Sequence, residues 1–116
     1  MTGTTGAPVQ LPREIAGWEC LWETSANRLE LAARRIDRRA ATIGQALAGR
    51  VIVQRDGVGW AVEARLWILE DPAEHQRLRV RRGHVSTPGE LHDLLVDAGL
   101  PRELAISIGE AVTALR

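Results

Sequence analysis

The chain has no lysine, no phenylalanine and no tyrosine, and it carries a single cysteine. One thiol, Cys20, excludes an internal disulfide and predicts a reducing compartment. No apolar run approaches the ~20 residues that span a bilayer, and residues 1–8 lack the basic and apolar stretches of a signal peptide. These absences predict a cytoplasmic protein with no membrane contact. Net charge is missing too, because 15 basic residues balance 15 acidic ones. Proteins that live on nucleic acid carry a positive excess, since neutralising phosphates supplies most of their affinity. Here only a local patch would serve that purpose.

All 15 of the basic residues are arginine, which keeps its charge when half-buried and offers a planar fork of donors suited to fixed contacts. At 116 residues, 45% of them hydrophobic, the chain is long enough to bury a core without metal or disulfides. Residues 1–10 are small and polar and predict a flexible tail, leaving 11–116 as a single α+β domain.

From Leu11 the apolar positions step by threes and fours through Ile15, Trp18, Trp22, Leu29, Ala33, Ile36, Ala40, Ile43 and Leu47. That spacing predicts an N-terminal helical region, with Pro12 at a first helical position and Gly49 just past an end. A continuous helix over 12–48 would be roughly 55 Å long, and the alternative is a break at Glu23–Asn27 with Thr24 or Ser25 capping a second helix. Either way the stripe exceeds what a small sheet covers, so a homodimer through this region is expected.

Val51-Ile52-Val53 followed by Asp56-Gly57 predicts a hairpin. Closing the loop on Asp56-Gly57 sets Val53 against Trp60, Val51 against Val62 and Arg50 against Glu63. Residues 60–68 alternate, with Trp60, Val62, Ala64, Leu66 and Ile68 on one face and Glu63, Arg65 and Trp67 on the other. A third strand at Arg77–Arg82 is expected to place Leu78 opposite Ile68 and Val80 opposite Leu66. Its arginines then point to water. Thr87-Pro88-Gly89-Glu90 carries a capping box, a helix runs to Gly99, and Pro101 opens a last helix. The predicted fold is therefore α+β in the order α-β-β-β-α-α, a three-stranded antiparallel β-meander covered on one face by N-terminal and C-terminal helices.

No catalytic pattern stands out. His75, His84 and His92 match no zinc spacing, and His84, Ser86 and Asp93 lack a nucleophile elbow. Glu70 and Asp71 sit beside Pro72 in a turn, and the glycines form no phosphate loop. The helical pair 88–98 and 101–115 has the apolar positions of a helix-turn-helix, but Glu103 and Glu110 would face phosphates. No catalytic residue, metal ligand or cofactor is expected. The remaining candidate is a surface of Arg65, Trp67, Arg77, Arg79 and Arg81 on the outward sheet face, since tryptophan and arginine are enriched in interface anchors. The expectation is a small non-enzymatic binding protein that regulates or blocks a protein partner through this face or a helical face. A nucleic-acid-binding regulator using the same arginines is the alternative. Substituting Arg79 and Arg81 with glutamate is expected to remove binding and spare the fold.

Overall fold

The computed structural model describes residues 11–115 apart from 72 and 74, so the tail expected over 1–10 lies outside the described residues. Six strands form one antiparallel sheet in sequence order: β1 (Glu14–Ile15), β2 (Trp18–Ser25), β3 (Arg28–Arg35), β4 (Ala46–Asp56), β5 (Gly59–Leu69) and β6 (Gln76–Val85). Two helices follow, α1 (Pro88–Ala98) and α2 (Arg102–Thr113). This overturns the three-stranded meander with an N-terminal helix. The region expected to be helical holds β1, β2, β3 and the start of β4.

The reason lies in a second periodicity within the same residues. Trp18, Cys20 and Trp22 alternate along β2, Leu29, Leu31 and Ala33 alternate along β3, and both sets face the core. The helical stripe took some of these residues and passed over Cys20 and Leu31, both almost fully buried. Arg28–Arg35 is rich in good helix formers, but strand pairing on both sides overrides a propensity worth only tenths of a kcal/mol per residue. Ala26-Asn27, expected to interrupt a helix, is the two-residue loop between paired Ser25 and Arg28. Ile36 and Ile43 lie in the β3–β4 connection and are exposed. The helical argument for a homodimer therefore loses its premise.

The β4–β5 hairpin is shifted by two residues from the expected pairing. Asp56 pairs with Gly59, so the loop is Gly57-Val58, and Val53 faces Val62 while Arg50 faces Arg65. A shift of two preserves the faces, because side chains alternate with period two. Gly57 takes φ +63° and Val58 is not left-handed, the sign pattern of a type II′ turn. At the β1–β2 loop both Ala16 (φ 48°) and Gly17 (φ 86°) are left-handed, the pattern of a type I′ turn.

The core is one-sided. Val51, Val53, Val62, Ala64, Leu66 and Ile68 of the central strands meet Leu91 and Leu95 of α1 and Leu104, Ala105 and Ile108 of α2. The Thr87–Glu90 capping box forms as expected, and Gly99 ends α1 at φ 111°. Along its thinnest axis the molecule measures 17 Å between Cα extremes, enough for a sheet and one helical layer. The other sheet face is open. Among the described residues no helix is long and apolar enough to cross a membrane.

The turns make a test of the register. Gly57→Val places a β-branched residue in left-handed backbone and should cost about 1–2 kcal/mol, read as a lower thermal midpoint. Ala16→Asn should raise the midpoint, because asparagine tolerates the left-handed region better than alanine.

Candidate interaction surface

The β5–β6 register decides where the arginines go. Trp67 pairs with Leu78, Arg65 with Val80 and Glu63 with Arg82, while Leu66 pairs with Arg79 and Ala64 with Arg81. This differs by one residue from the expected pairing, and a slip of one exchanges the faces of a strand. Arg77, Arg79 and Arg81 therefore share the helix-covered face with Ile68, Leu66 and Ala64. Arg65 and Trp67 share the open face with Leu78 and Val80. The five residues expected to make one patch are split between the two sides of the sheet.

On the helix side, Arg79 and Arg81 fasten α1. Arg79 Nη1 donates to the Ala98 carbonyl at 3.1 Å, at the end of α1 where carbonyls lack intrahelical partners. Arg81 Nη1 lies 2.6 Å from Asp97 Oδ2, and Arg77 Nε lies 3.4 Å from Glu70 Oε1. Gly83 completes this seat, since a Cβ there would come within 2.5 Å of Leu94 Cδ1. The outer strand thus supplies the long stems and cationic tips that hold the roof at its edge.

On the open face an apolar cluster stands at one corner, apart from the exposed Leu21 of β2 and the half-buried Ile52 of β4. Ala48, Trp67 and Leu78 form one row across β4, β5 and β6, and Val80 stands in the next row beside Arg65. Leu78 is 49% exposed and Val80 40% exposed, with Trp67 half-buried between them and Ala48. Around this corner Arg28, Arg34, Arg50, Arg65 and Arg82 each meet a glutamate. Glu63 accepts from Arg65 Nε at 2.7 Å and Arg82 Nε at 2.8 Å. Glu30 bridges Arg28 and Arg50, each at 2.9 Å, and Glu19 accepts from Arg34 at 2.6 Å. Arg50 stands directly opposite Arg65, a repulsive pairing offset by these two glutamates. By register the face presents Arg28, Arg34, Arg50, Arg65 and Arg82 against Glu14, Glu19, Glu23, Glu30, Asp56 and Glu63, nearly a balance.

The candidates for chemistry are committed elsewhere. His84 Nε2 lies 3.1 Å from the Asp56 carbonyl oxygen, and the Ser86 amide donates to Glu90. Glu70 turns to Arg77 and Asp71 to His75, so the two carboxylates do not face each other. Burial pushes the Cys20 thiol up from its ordinary range, with the Ile15 backbone acting against it, which disfavours a nucleophilic thiolate. Among the described residues no group of histidine, cysteine and carboxylate side chains is placed to hold a metal. A cleft of about 390 Å³ opens between the β4–β5 hairpin and the helices, with Arg55 stacked 4.5 Å over the Trp60 ring at its wall.

Leu78 and Val80 are the surface residues that sequence reasoning assigned to the core. One signal for the true parity was present. Val85 is buried two residues before the Thr87 cap, and counting back from it in twos places Gly83, Arg81, Arg79 and Arg77 on the helix side.

Arg79→Glu combined with Arg81→Glu should loosen the C-terminal end of α1, contrary to a surface role that spares the fold. The expected result is faster hydrogen exchange in α1 and a lower thermal midpoint, while Arg65→Gln leaves α1 protection unchanged. Glu63 supplies a second test. Its carboxyl is held below the usual range by the Arg82 hydrogen bond first and the Arg65 bond and charge next. A lowered folded-state value stabilises the protein above the unfolded carboxyl's range, and that contribution disappears as pH falls through the folded value. Glu63→Gln should therefore lower the midpoint at neutral pH and bring it closer to wild type at acid pH.

No family model matches the chain, and comparison with curated proteins and with solved structures finds no match either.

Proposed function

We propose that the protein is a small non-enzymatic binding protein of the cytoplasm that regulates or blocks a protein partner, which it engages through the open sheet face. The observation that carries this reading is the uncovered corner of Trp67, Leu78, Val80 and Ala48, rimmed by arginines already paired with glutamates. Aromatic and aliphatic anchors inside a polar rim are the anatomy of protein interfaces. A contiguous apolar surface on a sheet is also expensive to leave in water.

The near balance of charge supports a protein partner over nucleic acid. A phosphate backbone would have to displace glutamates from arginines they already bond, and Glu23 would add repulsion. Trp67 is also a single aromatic, whereas platforms for single strands stack successive bases on several rings.

The test is affinity capture from the native host with wild type and with a Trp67→Ala, Leu78→Ser variant, each with and without nuclease. Both substituted side chains lie on the open face, so the variant should fold and lose protein partners that wild type retains after nuclease. Equal capture by the two proteins, or loss of capture on nuclease treatment, would overturn the reading.

A further inference from the structure

β6 is the last strand of the sheet, and among the described residues no strand pairs with its far side. Its ten residues present a long free edge. Alternate residues of such a strand direct their N–H and C=O groups away from the sheet, which makes the edge a template for another strand. Natural sheets usually end in shorter or covered edges, as β1 ends the opposite side with two residues.

The side chains of this edge are sorted by face. Leu78 and Val80 stand on the open side and continue the apolar corner begun by Trp67. Arg77, Arg79 and Arg81 stand on the helix side, where Glu70 pairs with Arg77 and Asp97 with Arg81. Arg79 makes its hydrogen bond to a neutral carbonyl, so that contact leaves its charge uncompensated by a carboxylate. We propose that the β6 edge accepts an extended segment of a partner chain as a seventh strand, and that this segment alternates acidic with apolar residues. Its apolar side chains would lie beside Leu78 and Val80, and its carboxylates in the row centred on Arg79, whose three arginines outnumber the two carboxylates Glu70 and Asp97 that meet them, as cross-strand pairs. Main-chain hydrogen bonds supply the attachment and the alternation supplies the selectivity.

The same arrangement argues against a second copy as the occupant. Antiparallel pairing of two β6 strands keeps equivalent faces together and sets arginine against arginine on the helix side. The inference extends the open-face reading, with which it shares Leu78 and Val80, by naming the edge and the chemistry of the segment.

A blocked peptide of about eight residues, alternating glutamate and valine, is long enough to follow most of β6. Titrated against the full chain, it should bind and slow hydrogen exchange of β6 amides. The same peptide N-methylated throughout has no N–H to donate and should not bind, and a lysine–valine peptide should not bind either. Arg77→Glu should weaken the glutamate–valine peptide about tenfold, with circular dichroism confirming the fold. Arg77 suits this purpose because it is exposed and away from the α1 fastening. Absence of binding by the glutamate–valine peptide, equal binding by either control peptide, or undiminished binding by folded Arg77→Glu would overturn the proposal. If the peptide fails while capture still depends on Trp67, only the edge proposal falls. If the peptide binds while capture ignores Trp67, only the open-face reading falls.

Discussion

Two helices roof one face of a six-stranded sheet, and the rows of apolar side chains beneath them set the registers of the central strands. Leu29, Leu31, Val51, Val53, Val62, Ala64 and Leu66 must all face Leu91, Leu95, Leu104 and Ile108. Moving any one of those strands by a single residue would bury its polar side under the helices. Removing a buried Leu or Ile side chain costs about 2–5 kcal/mol, so a whole misregistered strand is far outside the stability of a domain this size. The open face is the by-product of that constraint. Alternation puts Glu30, Arg50, Glu63 and Arg65 there because their neighbours are needed underneath.

With arginine as the only basic residue type, one side chain does three different jobs. Arg79 and Arg81 hold the end of α1 at the edge of the roof. On the open face Arg50 and Arg82 form ion pairs to a neighbouring strand, and Arg28 and Arg65 pair along their own strands. Arg35 and Arg55 lie over the rings of Trp18 and Trp60, 4.9 Å and 4.5 Å from the centroids, at the rim of the core. A planar, weakly hydrated cation suits all three settings. The number of arginines in a stretch therefore says little about a binding patch until the face of each is known.

The C-terminal third was legible because its signals are local. Thr87, Pro88 and Glu90 make a capping box within four residues, and Gly99 and Pro101 mark the break between the helices. The N-terminal half was not, because its apolar residues fit two periods at once. Ile15, Trp18, Trp22, Leu29 and Ala33 satisfy a helical count, while Trp18, Cys20 and Trp22 or Leu29, Leu31 and Ala33 satisfy a strand count. Only pairing of β3 with β2 and β4 chooses between them, and those partners lie up to tens of residues away.

For the candidate surface, the sequence alone determined that arginine and apolar residues alternate along β6 and that Trp67 lies opposite in face to Leu66 and Ile68. It left open which alternate set of β6 joins which face, because the β5–β6 connection can close in either parity. Tertiary packing decided it. Val85 is drawn into the core two residues before the Thr87 cap of α1, Gly83 admits Leu94, and the free carbonyl of Ala98 captures Arg79. With those contacts made, Leu78 and Val80 have no route to the core and stand beside Trp67 in water. The alternation is written in neighbouring residues, but its phase depends on where a helix docks, and no local pattern carries that information.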